Sequence, residues 1–155
     1  MVRYLKAWAD YQTGKRGKMP SGLILTVLAT QNFRGHEGDD ICFARTAASI
    51  LEFVRSIFRV YNPVDATEEV TARLSEEEKR RFREVIGDLA NDASKALNTE
   101  RKEDASELWR GQLGGRFPLI EDEENNGGKK QKKEDAALLA TFYASRNPPK
   151  PWASN

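Results

Sequence analysis

The residues of this sequence that could bind an anion lie close to its start. Lys6 belongs to a first helical segment, and Pro20, Ser21 and Gly22 open a second one after a short connection. Proline suits the first position of a helix, because its missing N–H is one that the helix could not satisfy. Ser21 and Gly22 then fall in the first turn, where free backbone N–H groups and the helix dipole attract negative charge. The spacing predicts a phosphate site to which Lys6 adds a positive charge.

An ordinary structural role explains the same residues. Proline followed by serine is a common start of a helix, and a lysine on a helix surface is usually solvated. Lys6 and Asp10 are also four positions apart and could form an ion pair, although a lysine on the N-terminal side is the weaker orientation. The spacing alone therefore leaves both interpretations open.

Three further cations, Lys15, Arg16 and Lys18, lie between the two helical segments, where we expect a loop over residues 13–18. They could lie near the phosphates of a nucleotide or solvate a flexible turn, and the turn is favoured. The segment is not a P-loop, because Gly-x-x-x-x-Gly-Lys-Ser does not occur and no strand precedes it.

The sequence gives little indication of a metal site or of a reactive cysteine. His36 is the only histidine and has no cysteine or second histidine nearby, so it cannot form a zinc site, and we expect it to be solvated. Cys42 is the only cysteine and lies in an apolar helical run, which indicates a buried thiol. The sequence therefore predicts no metal site, and no disulfide within the chain.

Composition limits the class of protein. The chain has 155 residues and a formal net charge of +1, which fits one domain and argues against a basic surface that covers the whole molecule and binds nucleic acid. It has neither a signal-peptide pattern nor a span of about 18 apolar residues. We expect a cytoplasmic protein without a membrane helix.

The periodicity of apolar residues positions these side chains on an all-α bundle of five or six helices. Helices are predicted over 2–12, 20–33, about 40–58, 76–98 and 100–113, with a brief helical turn that ends near Leu74. Asp39 or Asp40 is expected to cap the third helix, Asp65 or Thr67 the brief turn, and Ser75 with Glu78 to form a capping box. The predicted core includes Leu23, Ile24, Leu25, Val27, Leu28, Ala29, Phe33, Phe43, Ala44, Ala47, Ala48, Ile50, Leu51, Val54, Ile57, Phe82, Val85, Ile86, Leu89, Ala93, Leu97, Ala105, Leu108, Trp109 and Leu113.

Three regions follow from the composition. Residues 1–120 read as a helical lobe and residues 121–135, an acidic block followed by a basic one, as a mobile charged linker. Residues 136–155 read as a short helix and a proline-rich tail. That tail could dock on the body of the protein or lie in another protein's groove, and docking back is preferred.

Several short motifs, in their order along the chain, resemble one family. They are Tyr4-Leu5-Lys6-Ala7-Trp8, Met19-Pro20-Ser21, Asn62-Pro63-Val64-Asp65, Leu74-Ser75-Glu76-Glu77, Leu108-Trp109, Arg116-Phe117-Pro118 and Pro149-Lys150-Pro151-Trp152. This series resembles the C-terminal helical lobe of the bacterial cGAS/DncV-like nucleotidyltransferases of antiphage (CBASS) defence. That lobe is related in architecture to the helical domains of oligoadenylate synthetases and poly(A) polymerases.

The resemblance implies a function. Members of the family join nucleoside triphosphates into cyclic di- or trinucleotide second messengers, with Mg²⁺ held by acidic residues of an N-terminal lobe. By this resemblance Lys6 matches a lysine that contacts the donor phosphates and Ser21 a serine near them. ATP- or GTP-type nucleotides would be the ligands, and Lys15, Arg16 and Lys18 would lie close to the phosphates.

The resemblance also implies that the catalytic groups lie elsewhere. Neither Gly-Ser nor Asp-x-Asp occurs in this sequence, so we expect that the chain alone does not transfer phosphoryl groups and that it works with a catalytic lobe in the same or a separate chain. The competing hypothesis is a non-enzymatic interaction module, whose aromatic first helix, with Tyr4, Trp8 and Tyr11, docks on a partner protein. A nucleic-acid-binding domain is a third hypothesis, which the near-neutral charge disfavours.

Overall fold

Five α-helices make up residues 1–120, the part of the chain that the computed structural model describes. They are α1 (Val2–Arg16), α2 (Gly22–Gln31), α3 (Asp39–Ser56), α4 (Glu76–Asn98) and α5 (Lys102–Leu113). Two 3-10 turns follow Glu69 and Leu113, and Tyr61 and Glu69 form an isolated antiparallel bridge. Within residues 1–120 no strand is present, so the all-α prediction is confirmed. The predicted charged linker and proline-rich tail lie outside the described residues.

The core forms where α3 and α5 pack along the long helix α4 and where α1 packs on α2 and α5. Most of the predicted core residues are buried, because each helix carries its apolar residues on one side. The central buried side chains are Leu5, Trp8, Leu28, Ile50, Val54, Phe82, Ile86 and Leu89.

The predicted core was wrong at five positions. Ile57 is 59% exposed, because α3 ends at Ser56 and the backbone becomes extended at Ile57. Ala48, Leu23, Phe33 and Leu97 are also exposed. Leu23 lies in the first turn of α2 and Phe33 just after its end. Because α2 packs on its neighbours along one side, an all-apolar helix there leaves apolar side chains in water.

Trp8 fixes α1 to the rest of the molecule. Its side chain is fully buried, and its ring meets the edge of Phe82 in α4 at 6.2 Å between centroids. Its Nε1 donates to Oε1 of Gln112 in α5 at 3.2 Å. The aromatic first helix was expected to need a partner surface, and within this chain α4 and α5 supply that surface for Trp8.

The starts of the helices show which capping predictions hold. Ser75 and Glu78 form the predicted capping box of α4, with Glu78 N donating to Ser75 Oγ at 3.1 Å and Ser75 N to Glu78 Oε2 at 2.9 Å. The predicted cap of α3 was wrong: Gly38 occupies the capping position, and Asp39 and Asp40 lie in the first turn. There their carboxylates still favour the positive end of the helix dipole.

The segment before α4 begins with turns and ends in the predicted brief helical turn, a 3-10 helix over Val70–Arg73 that stops at Leu74. Asn62 Oδ1 accepts from Val64 N at 3.0 Å and Asp65 Oδ1 from Thr67 N at 2.9 Å, which are the local bonds that Asn and Asp form in turns. The predicted cap at Asp65 or Thr67 was wrong, because the 3-10 turn begins only after Glu69. No helix among residues 1–120 is long and apolar enough to cross a membrane.

Candidate phosphate-binding site

The start of α2 is set by Ser21. This residue is the N-cap, and its Oγ accepts a hydrogen bond from Ile24 N at 3.4 Å. Pro20, predicted at the first helical position, lies before the cap, so that detail was wrong. The helix begins after Ser21 rather than at Pro20, because the serine hydroxyl accepts a hydrogen bond from one of the free N–H groups of the first turn.

Lys6 lies against this helix start. A β-carbon placed on Gly22, the first residue of α2, would lie 3.5 Å from Lys6 Cε and 3.7 Å from Lys6 Nζ. The ammonium therefore sits beside the positive end of the α2 dipole, where two positive groups converge on one point of the surface. The structure thus brings Lys6 to Gly22 at the start of α2, the residue that follows Ser21 in the sequence.

Lys6 forms no ion pair within residues 1–120, so the considered pair with Asp10 is not made there. The Lys6 side chain is exposed, and none of the carboxylates in that part of the chain lies within 4.0 Å of its ammonium. A charge that the protein leaves uncompensated beside a helix N-terminus can be compensated by an anion from solution.

An open cavity of about 330 Å³ adjoins this point. Its walls carry the ammonium-bearing side chains of Lys6 and Lys18 and the carboxylate of Asp10, together with Gly22 and the apolar Leu25. Ser21 does not line the cavity, although its neighbours on both sides do. The cavity thus combines two cations and one acid beside a helix start.

The other predicted cations lie in different surroundings. The predicted loop over residues 13–18 was wrong in its first part, because α1 continues to Arg16 and ends at Gly17, which has a φ of 90°. As a result Lys15 Nζ lies 4.6 Å from the centre of the Tyr11 ring and Arg16 pairs with Asp88 of α4. Neither Lys15 nor Arg16 lines the cavity.

Lys18 lines the cavity but already has a partner. Its Nζ lies 3.3 Å from Glu78 Oε1. The hydrogen bond from Ser75 N, and then Lys18, hold the pKa of the Glu78 carboxyl below its usual range. Glu78 is therefore ionised at neutral pH, and an anion in the cavity would compete with it for Lys18.

Two polar residues that line this cavity, Asp10 and Thr13, were not predicted as site residues. They follow Lys6 by four and seven positions, which is the spacing of one helix face. The pattern was readable in the sequence, but Thr13 had been placed in a loop.

Metal-binding groups do not converge in residues 1–120: no three side chains of His, Cys, Asp or Glu lie close enough to hold an ion there. His36 is exposed, as expected, and its Nδ1 accepts from Gly38 N at 3.0 Å. Cys42 is a buried free thiol, as expected. Residues 1–120 therefore offer no such ligand set for Mg²⁺, whose ligands the resemblance places on a lobe outside this chain.

Comparison with known proteins relates part of the chain to a synthase of cyclic nucleotides. No family model matches the chain. A cyclic GMP-AMP synthase of Escherichia albertii is 40% identical to it over 67 residues. The matched stretch is 42% of this chain and 15% of that protein, so the chain corresponds to a minor part of the synthase's length. Over that stretch, the chain is related to a cGAS-like synthase.

Proposed function

We propose that this chain is the helical substrate-binding lobe of a nucleotidyltransferase that makes cyclic oligonucleotide second messengers in antiphage defence. The partial identity to a cyclic GMP-AMP synthase supports a nucleotidyltransferase relationship. The position of the Lys6 ammonium over the first residue of α2 is the observation that carries the role of the lobe.

The proposed contacts follow from the chemistry of the helix start. The N–H groups of Gly22 and Leu23 make no hydrogen bond within residues 1–120, which is the normal state of a first turn. Ser21 Oγ accepts from Ile24 N and can still donate its own proton. Phosphate oxygens of ATP or GTP would accept hydrogen bonds from these donors, and the Lys6 ammonium would contact the phosphates from the other side. Because Gly22 has no side chain, the phosphates could approach the backbone closely.

In this proposal the lobe binds and orients the triphosphate, and the reaction takes place on another lobe. Mg²⁺ would neutralise charge on the phosphates as they react, and its ligands are placed in the N-terminal catalytic lobe, outside this chain. The residues of this chain contribute positioning, by holding the phosphates against α2 and so reducing the loss of freedom in the transfer step.

Titration of the full chain with ATP tests the proposal. Amide signals of ¹⁵N-labelled protein report the contact residue by residue, and inorganic triphosphate, which has no base, is the second probe. We expect saturable shifts centred on Gly22 and Leu23 with both probes. Lys6→Ala should weaken binding about tenfold, since a hydrogen bond to a charged group contributes about 1.5–3 kcal/mol.

Lys102→Ala is the matched control, because Lys102 is an exposed lysine at the start of α5. It removes the same charge from the molecule and should leave binding unchanged. Equal losses of ATP affinity in both variants would show that Lys6 acts only through the net charge of the protein. Folded protein that shows no shift at millimolar ATP would overturn the phosphate role and favour the interaction module.

A further inference from the structure

A second and larger cavity lies between the end of α3 and the start of α4. It is an open groove of about 600 Å³, and we call it the α3–α4 groove. Ile57, Phe58 and Arg59 form one side, and Lys79 and Arg83 of α4 form part of the other. The groove shares no lining residue with the cavity at Lys6.

Arg83 is held in one orientation inside this groove. Its Nε donates to the backbone oxygen of Val54 at 2.8 Å, in the last turn of α3, and its Cζ lies 5.6 Å from the centre of the Phe58 ring. Both partners are buried, so they are fixed by the core. The arginine has therefore already lost much of the rotational freedom that binding a ligand would otherwise cost.

The two terminal nitrogens of this guanidinium are available. Within residues 1–120 they make no hydrogen bond, and Arg83 forms no ion pair. No buried side-chain nitrogen in that part of the chain lacks a partner, so these two nitrogens face solvent. A fixed guanidinium with two free N–H groups matches the two oxygens of a carboxylate.

The other charges of the groove are already balanced. Lys79 Nζ lies 2.9 Å from Glu76 Oε1, and Arg59 Nε lies 3.9 Å from Glu69 Oε2. The lining thus carries three cations and two carboxylates. Among these residues Arg83 is the cation without an ion pair, although its charge, after that of Lys79, also helps to lower the pKa of Glu76. A ligand that complements the groove therefore brings a negative group to Arg83.

The backbone beside Arg83 suits an extended ligand. Ile57 is extended, with a φ of −142° and a ψ of 106°. From Ile57 to Tyr61 the side chains alternate between exposed and buried, as in a strand. In the described chain, the N–H and C=O of Phe58 have no hydrogen-bond partner. Extended peptides bind to such edges through their main chain.

We propose that the α3–α4 groove binds an extended acidic peptide segment of a partner protein. A carboxylate of the peptide pairs with the free nitrogens of Arg83, and its backbone pairs with Phe58. An apolar side chain of the peptide covers Ile57, which is otherwise left in water. Single acidic anchors of this kind give modest affinity, and millimolar to micromolar dissociation constants fit such an interface.

Titration of the ¹⁵N-labelled full chain tests this proposal. The probe is an acetylated and amidated peptide of alternating glutamate and valine. We expect saturable shifts at the Phe58 and Arg59 amides and at Arg83 Nε. Arg83→Lys keeps the charge but loses the planar guanidinium that donates two parallel hydrogen bonds, so it should weaken binding about tenfold. Arg80→Lys, on the same helix but outside the groove, should bind like wild type.

Ile57→Asp covers the case in which Arg83→Lys unfolds the protein. Ile57 is exposed, so an acid there leaves the core intact and should repel the acidic peptide. Three results would overturn the proposal: no shift at millimolar peptide, equal shifts with a lysine–valine peptide, or unchanged affinity in Ile57→Asp. Equal shifts with inorganic phosphate would show an adventitious anion site and would overturn it as well.

Discussion

The ring of Tyr11 in α1 closes over Gly114 at the end of α5. A β-carbon built on Gly114 would lie 2.6 Å from Cε2 of that ring and 2.7 Å from Cδ2, distances that real β-carbons do not reach. Gly114 also has a φ of 78° and a ψ of −167°, a conformation that is essentially restricted to glycine. The contact between α1 and the end of α5 thus depends on the absence of a side chain at residue 114.

Gly114→Ala should destabilise the protein by about 1–3 kcal/mol for the backbone alone, because alanine cannot adopt this conformation without strain. Displacement of Tyr11 adds to that loss. Urea denaturation followed by circular dichroism measures it. Gly111→Ala is the matched control: Gly111 lies inside α5 with open space around it, so alanine should stabilise by up to about 1 kcal/mol. Equal effects at the two glycines would contradict this account.

Gln112→Leu should destabilise the protein by roughly 1–3 kcal/mol, because the buried Trp8 Nε1 loses its acceptor, whereas Gln12 Nε2 keeps the backbone oxygen of Gln112 at 3.0 Å. Gln112 Oε1 accepts from Trp8 Nε1 and Gln12 Nε2, both at 3.2 Å, and its amide donates to Asp92 Oδ2 at 2.7 Å. The double variant with Trp8→Phe removes that orphaned donor. We therefore expect Gln112→Leu to cost less in the Trp8→Phe background than in wild type. Strictly additive costs in chemical denaturation would show that the hydrogen bond contributes nothing.

Ser21 has two roles that substitution can separate. Ser21→Ala should lower stability by about 1 kcal/mol through loss of the cap, and it should also weaken nucleotide binding. Ser21→Asp keeps an N-cap oxygen and hence the stability, but its charge should repel phosphate. Thermal unfolding and ATP titration of both variants give the comparison. If Ser21→Asp binds ATP as wild type does, Ser21 does not face the phosphates.

Under the proposed function, Lys6→Ala should raise KM for ATP or GTP about tenfold in a protein that also carries the catalytic lobe, with kcat little changed. A lysine that holds the triphosphate equally in the ground state and in the transition state contributes to binding and not to the chemical step. Steady-state kinetics separate the two constants. A fall in kcat at unchanged KM would place Lys6 in the chemical step instead.

The stability contributed by Glu78 should depend on pH. Its folded pKa is below the ordinary value of 4.5, so its contribution is complete above that value and is lost as the pH falls through the folded pKa. Glu78→Gln cannot ionise and lacks this dependence. The stability difference between wild type and Glu78→Gln should therefore shrink in urea denaturation as the pH falls below 4.5. Parallel curves for the two proteins would contradict the capping and ion-pair geometry.

Local chemistry made part of this fold predictable. The capping box of Ser75 and Glu78 and the end of α4 at Asn98 follow from residues within one turn of each other. The buried face of α4 follows from a strict helical period. By contrast, the exposure of Ile57 depends on where α3 ends, and the extended segment that follows it bonds to residues 68–71, which helical periodicity does not reveal.

The sequence predicted which residues form the candidate site, but not their exact positions relative to the start of α2. Lys6, Ser21 and Gly22 were identified from their types, and the structure places Lys6 beside the start of α2. Their arrangement depends on Ser21 being the N-cap of α2. The sequence left the exact start of this helix ambiguous, because both Pro20 and Ser21 are common at helix starts. The partners of Arg16 and Lys18, on α4, are more than 50 residues away in sequence and could not be read from spacing.

The hydrogen bond from Trp8 to Gln112 joins residues 104 positions apart, and this has a consequence during translation. At about 5–20 residues per second, α1 leaves the ribosome on the order of 5–20 s before α5 is made. Over that interval the indole N–H of Trp8 has no Gln112 to accept its hydrogen bond, although Phe82 of α4 is made in the meantime. The anchoring of α1 is therefore completed only after α2, α3 and α4 have been made.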